Sequence, residues 1–402
     1  MLINSFTERK MIDYTFSKPE RSTSMKRLFN TGIGLFLLAI AMIGGNRNAV
    51  AQTNPKGAFE FVSRLDASKD DALEMLLEGK LLYVANKAAG LSIVDISDVY
   101  NPKVISRTAS VGQNYGIAKK GNFVFMADNL AGLLVYDVTN IKKPLKVAEL
   151  ELKGEAWDVK IKDNYAFIAA GLAGLVVVDI TDPKAPKVVT SLRYDLDWDY
   201  ARKIFISEKG ILFLADRKAG IHAISIDNPA TPKEIRRFPT QFAVGLEVAG
   251  NYAYVADGPA GMLVVDISNP EKMKQVADFK LPGHTNNVAK IGPYVYVSVD
   301  DAGIRAIDVT NPSKPQFDAR YDTPGQAFSM VKYDIFMVVA DLSSILVLIH
   351  DKPPVIFPTP DKTVAENQKL EFKVRGMDPD GNPVGFTANF LPEGAVWNET
   401  DT

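Results

Sequence analysis

The sequence predicts an all-β protein: a seven-bladed β-propeller closed by an N-terminal strand, followed by a truncated C-terminal Ig-like β-sandwich segment. Three observations carry this reading. The dipeptide Ala-Gly returns at Gly90, Gly132, Gly174, Gly220, Gly261 and Gly303, at intervals of 42, 42, 46, 41 and 42 residues, with a degenerate seventh copy at Ser344. Each glycine lies between two short aromatic or β-branched runs, such as "YAYVAD" and "MLVVDIS" around Gly261. Finally, residues 58–65, "AFEFVSRL", read as a strand with no unit before it, while the last unit stops after its third strand at Asp351.

The paired runs are too short and too β-branched for helices and are bounded by turn residues, so they are the second and third strands of a unit. A first strand precedes them, as in "AWDVKIK" from Ala156, and a charged outer strand follows, as in "PKVVTSLRY". Four short strands repeated at this spacing make propeller blades, and seven units make a ring. An open array would leave an unpaired edge at each end; residues 58–65, taken as the missing outer strand of the last unit, remove both. The predicted divisions are a signal region at 1–51, a propeller at 58–352 and an incomplete module at 353–402.

The phrases "YVADGPAGMLVVDISNP" and "AGLVVVDITDPKAP" resemble the LVIVD repeat of secreted bacterial propellers, named for the core of its third strand. The resemblance runs from about Ala58 to Asp351 and implies a propeller and export, without naming a reaction. The sequence has no tryptophan-aspartate strand ending, kelch Gly-Gly pair or sialidase-type Ser-x-Asp-x-Gly-x-Thr box.

At 402 residues and 47% hydrophobic content, the chain has room for two or three folded domains. A formal net charge of −2, with no Lys/Arg-dense block beyond the N-terminus, argues against nucleic acid as a partner. There is no cysteine, and His222, His284 and His350 fall at different places in the repeat, which excludes disulfides, thiolate nucleophiles and Cys/His zinc sites. No cofactor is expected, Ca²⁺ aside. Lys26 and Arg27, the uncharged residues 28–45 and Ala49-Val50-Ala51 read as a secretory signal that starts at Met25 and is cleaved after Ala51. The expected location is secreted, periplasmic or cell surface, with membrane attachment only if that segment stays uncleaved. A monomer is expected.

The acid ending the third strand recurs as Asp95, Asp137, Asp179, Asp266 and Asp308, with Ser225 in the fourth unit. Recurrence with the fold unit predicts scaffolding: an Asp followed by Ser or Thr and a proline-bounded turn is held by side-chain bonds to nearby backbone N–H groups. The Ala-Gly glycine occupies the hairpin between the second and third strands, where a positive φ or a close neighbour favours it. That hairpin face also carries the linkers between blades. On it the sequence places Asn86, Asp128, Asp216, Asp257, Asp300, Asp301 and Asp341 toward the ring, with Ala170 in the third blade.

Residues that break the repeat are better candidates for function. The 46-residue interval carries extra residues in "RYDLDWDYARK", residues 193–203, in the linker between blades three and four. Asp195, Asp197 and Asp199 alternate with Tyr194, Leu196, Trp198 and Tyr200, so an extended segment puts acids on one side and aromatics on the other. Trp157, on the preceding linker, is placed to approach it. The candidate ligand-binding residues are therefore Trp157, Tyr194, Asp195, Asp197, Trp198 and Asp199, with the hairpin acids Asp128, Asp216, Asp257 and Asp300; none is assigned a catalytic role. They would stack against a sugar or peptide and accept its hydrogen bonds, or collect Ca²⁺. Packing of the aromatics between blades is the competing explanation.

Beyond Pro353-Pro354, alternating strands and the acidic turn "DPDGN" at 378–382 resemble the Ig-like and cadherin-like modules of bacterial surface proteins. About 50 residues are present where such a sandwich needs roughly 100. Asp378 and Asp380 are the candidate calcium ligands there. The leading expectation is an exported, non-enzymatic binding or adhesion protein whose propeller loop face takes an extracellular glycan or protein ligand. The alternatives are an extracellular polysaccharide hydrolase or lyase using loop carboxylates, and a structural envelope or surface-layer component.

Overall fold

The computed structural model describes residues 57–66, 71–110, 112–193 and 200–351, together with the short strands Asp13–Ser17, Val355–Ile356, Lys373–Val374, Gly376–Met377 and Val396–Thr400. Blade one shows how the residues make a unit. Leu81–Asn86 and Gly90–Asp95 are buried on both faces because a neighbouring blade covers each side, which is why they read as unbroken apolar runs. The outer strand Lys103–Thr108 is partly open to solvent, and Ala72–Glu78 is innermost.

Seven such four-stranded antiparallel sheets form the ring, within a unit spanning Ala58–His350. Their first strands are Ala72–Glu78, Asn114–Lys120, Asp158–Lys162, Lys203–Ile206, Gly245–Ala249, Thr285–Ile291 and Ser329–Tyr333; each touches the next, and the last touches the first. Each of the seven interfaces between blades holds its own apolar cluster. Phe167 and Val177 of blade three meet Leu212 and Ile224 of blade four, and Met75 and Val84 of blade one meet Val338 and Val347 of blade seven.

Closure follows the sequence expectation. Ala58–Asp66 hydrogen-bonds to Ser344–Asp351 as the outermost strand of the last blade. Phe59 stacks on His350 at 4.7 Å and meets Tyr296 and Tyr321 edge-on at 6.0 and 6.1 Å. The imidazole is fixed from both sides: Nε2 lies 3.0 Å from Asp318 and Nδ1 lies 2.8 Å from the Tyr296 hydroxyl.

The recurring acids are turn caps. In Asp95, Asp137, Asp179, Asp266 and Asp308, Oδ1 accepts the backbone N–H two residues on, each at 2.8 Å. Asp179 also accepts the Thr181 hydroxyl at 2.6 Å, and these bonds hold its carboxyl below the ordinary aspartate range. The hairpin glycine meets both expected demands. Gly174 has φ 73°, and a Cβ there would stand 2.3 Å from the Leu192 carbonyl oxygen.

The remaining strands make a separate unit. Asp13–Ser17 lies between Lys373–Val374 and Val396–Thr400, and Val355–Ile356 pairs with Gly376–Met377. The proposed signal residues 26–51 lie outside the described residues.

Candidate ligand-binding face around the ring axis

Hairpins and linkers share one face of the ring, as strand direction requires: Gly171 bridges to Ala201, Arg217 to Ala243 and Gly258 to Thr285. The hairpin acids turn inward on that face. Asp128 accepts from the Leu130 and Ala131 N–H groups at 3.0 and 2.9 Å and from the Ser110 hydroxyl at 3.1 Å. Asp257 accepts the N–H groups of Gln241 and Phe242 at 3.1 and 2.6 Å, Asp341 that of Gly325 at 2.9 Å, and Asp216 that of Tyr200. Asp128, Asp216 and Asp257 are buried. All three are among the ligand contacts expected from the sequence, and their carboxylates pin the hairpin or the linker entering their own blade. Asp300 is only half-buried and accepts from the Asn286 amide at 2.7 Å.

What this face presents is a belt of rings and guanidinium groups. The Tyr115 and Trp157 rings lie 4.1 Å apart, and Trp157 lies 6.0 Å from Tyr200, to whose hydroxyl its indole N–H donates at 3.1 Å. The Arg202 guanidinium lies 3.7 Å over Trp157, and that of Arg217 lies 3.9 Å over Tyr200 and 5.5 Å from Phe242. Phe242 meets His284 edge-on at 5.6 Å. Blades two to six thus each place one of these half-buried rings on the belt, and a cation over an aromatic face is a favourable contact.

The electrostatics of the belt are unusual. Burial, followed by the charge of Arg217, pushes Arg202 down to about 10, which still leaves it protonated at neutral pH. Burial also lowers Arg217, with Glu155 and Asp216 opposing. Among the described residues neither guanidinium forms a salt bridge, and Arg217 Nε is buried without a hydrogen-bond partner. Arg217 also adopts a left-handed φ of 38°, where the equivalent hairpin positions of blades three and five hold Gly171 and Gly258 at 52° and 53°. A non-glycine residue held there carries strain of about 1–3 kcal/mol.

Around the axis, the first strands bring charges together. The partners of the same second-strand position in successive blades are Glu74, Gly116, Asp158, Lys203, Gly245, Asn287 and Ser329. Lys203 of blade four pairs with Glu74 of blade one, and its Nζ lies 4.0 Å from Asp158. Ser329 donates to Glu74 at 2.8 Å, and Asp158 also accepts the Ile204 N–H at 2.9 Å. Burial opposes the lysine charge, but Asp158 and Glu74 outweigh it and hold Lys203 above the ordinary lysine value. Burial raises Glu247 nearby. Among the described residues, no three His, Asp or Glu side chains gather as a metal site.

Of the candidates named from sequence, the structure places Trp157 at the centre of the belt. Tyr194, Asp195, Asp197, Trp198 and Asp199 lie outside the described residues, as do Asp378 and Asp380. Sequence reasoning missed Tyr115, Arg202, Arg217, Phe242 and His284. Arg217 carried a usable signal, since it stands where two sister hairpins have glycine. Axial residues such as Lys203 and Glu74 would have emerged from aligning the first strands unit by unit.

Five stretches, residues 71–109, 112–147, 153–193, 243–279 and 282–323, match the LVIVD repeat. The unmatched blades are the fourth and seventh, and the fourth supplies Arg202, Lys203 and Arg217. A comparison with curated protein sequences returns no match. Among solved structures, the computationally designed Ika8 protein is 12% identical, with a TM-score of 0.54 over 72% of this chain and 99% of its own. The Pan2 WD40 domain of Neurospora crassa is also 12% identical, with a TM-score of 0.56 over 74% of this chain and 96% of its own. At that identity the likeness concerns the fold alone. Stretches that match the LVIVD repeat thus make five of the seven blades of this chain's β-propeller.

Proposed function

We propose that this is an exported, non-enzymatic binding protein that takes its ligand on the hairpin-and-linker face of the propeller. The supporting observation is the belt from Tyr115 to His284: half-buried rings and two guanidinium groups without carboxylate partners among the described residues, on a ring closed by its own N-terminal strand. Aromatic and arginine side chains in this setting are those that dominate recognition surfaces. Export is inferred from the basic and apolar N-terminal segment, and residues 353–402 are read as an Ig-like spacer with Asp378 and Asp380 as its calcium ligands. The alternative of a polysaccharide hydrolase or lyase is weaker, because Asp128, Asp216 and Asp257 are buried and bound to backbone N–H groups.

The test is a combined glycan and peptide array probed with the full chain, followed by mass analysis of the recovered ligand. The expected result is a bound ligand recovered intact, with binding lost in Trp157→Ala while the melting temperature is kept. A cleaved ligand would refute the non-enzymatic claim, and binding indifferent to Trp157→Ala would move the site off this face.

A further inference from the structure

We infer that the ligand of this face is an acidic protein segment, with one carboxylate clamped by Arg202 and Arg217 and neighbouring aliphatic side chains resting on Leu130 and Leu172. The inference rests on the hairpin face being the binding face and adds the chemistry of what binds there.

Two like charges have been brought together on one half-buried belt; Glu155 favours both and Asp216 favours Arg217, but among the described residues no carboxylate forms a salt bridge with either. Such an arrangement is costly in the absence of an anion and favourable with one. Arg217 Nε is buried without a hydrogen-bond partner among the described residues, and buried N–H groups of that kind are rare unless something else satisfies them. Each guanidinium lies over a ring, Arg202 3.7 Å from Trp157 and Arg217 3.9 Å from Tyr200. A ring occupies none of the guanidinium's five N–H donors, which can meet a carboxylate in the two-pronged geometry that arginine favours.

The choice of a protein segment over an acidic sugar comes from the neighbours. A sugar stacks on an open aromatic face, but Trp157 already carries Arg202 and leans on Tyr115, and Tyr200 carries Arg217. The adjacent hairpin tips of blades two and three instead expose aliphatic groups, with Leu130 at 70% and Leu172 at 63%. Exposed leucines on the same face as tyrosine, tryptophan and arginine suit a peptide with alternating acidic and aliphatic side chains.

The probes are a heptapeptide pool with Glu fixed at its centre and Leu two residues to either side, the same pool with Gln at the centre, and an oligogalacturonate. Each is measured against the full chain at low and moderate salt. The Glu pool should yield binders that weaken with salt, and their Gln counterparts should bind about tenfold more weakly or worse. Arg202→Gln and Arg217→Gln should each reduce affinity about tenfold, and Leu130→Ser with Leu172→Ser severalfold, at unchanged melting temperature. If a Gln variant melts early, Arg202→Lys and Arg217→Lys replace it; they keep the charge, lose the fork, and should still weaken binding. Equal affinity for Glu and Gln peptides overturns the inference. So does peptide binding that emerges only when Asp195, Asp197 and Asp199 are all changed to Asn, because the chain's own acids would then occupy the clamp. Arginine-dependent binding of the oligogalacturonate alone overturns the inference and preserves the binding face. No binding by either class at this face overturns the functional reading itself.

Discussion

Lys203 and Glu74 form a salt bridge across the ring, the lysine on the first strand of blade four and the glutamate on that of blade one, 129 residues earlier in the chain. The pair ties together blades that share no sheet and no apolar cluster, and Asp158 and Ser329 extend it to blades three and seven. Lys203→Met should cost about 2–3 kcal/mol, because it removes the counter-ion of the half-buried Glu74 and leaves the buried Asp158 with Lys160 at 3.5 Å. Adding Glu74→Gln should recover part of that loss. Lys203 is raised above its unfolded value of 10.5, so its contribution is fully present below that pH and disappears as pH rises through the higher folded value. Melting curves from pH 7 to 11 should show a gap between wild type and Lys203→Met that is constant at first and narrows above pH 10.5. A gap that stays constant throughout would show that the lysine charge is not what stabilises the ring.

The capped turns behave in the opposite direction. Hydrogen bonds from the Thr181 hydroxyl and N–H depress Asp179 below 3.8, so its stabilisation is present above that pH and is lost as pH falls through the lower folded value. The carboxylate is exposed and screened, so Asp179→Ala should cost only about 0.5 kcal/mol at neutral pH. The difference in denaturant midpoint from wild type should shrink in strong acid; one that persists undiminished would assign the effect to the turn backbone instead.

The propeller was legible because one phrase recurs seven times, and its closure was legible because the outer strand lacking at Asp351 is present at Ala58. The site was less so, for two physical reasons. Asp128, Asp216 and Asp257 stand out by residue type, but that their carboxylates accept N–H groups, from its own hairpin for Asp128 and from the incoming linkers for the other two, emerges only once the chain is folded. Arg202 meets Trp157, and Arg217 meets Phe242, only because packing of the blades brings the hairpins and linkers of neighbours side by side. Trp157 stands out within its own linker; the rings and guanidinium groups around it are ordinary residues until the blades pack.

Phe59 tests the closure. It is the aromatic anchor of the N-terminal strand, stacked on His350 and edge-on to two tyrosines. Phe59→Ala should destabilise the propeller by about 2–3 kcal/mol, less than full burial would give because the ring is only half-buried. Removing Ala58–Asp66 altogether should leave Ser344–Asp351 as an unpaired edge, visible as concentration-dependent association in sedimentation. If the truncated chain stays monomeric and melts normally, the strand is not the closure.

Arg217 separates stability from binding. Its backbone sits at φ 38°, a region that costs a residue with a Cβ about 1 kcal/mol relative to glycine, and the sister positions Gly171 and Gly258 show that glycine fits there. Arg217→Ala and Arg217→Gly remove the same guanidinium contacts with Tyr200 and Phe242 and differ only in whether the strain remains. The glycine variant should therefore be the more stable of the two by about 1 kcal/mol, partly reduced by the greater freedom of glycine in the unfolded chain. Both should lose ligand affinity equally. Denaturant melts together with the peptide titration read the two effects apart. Equal stability of the variants would remove the case for strain at this position, while affinity retained in either would remove Arg217 from the binding face.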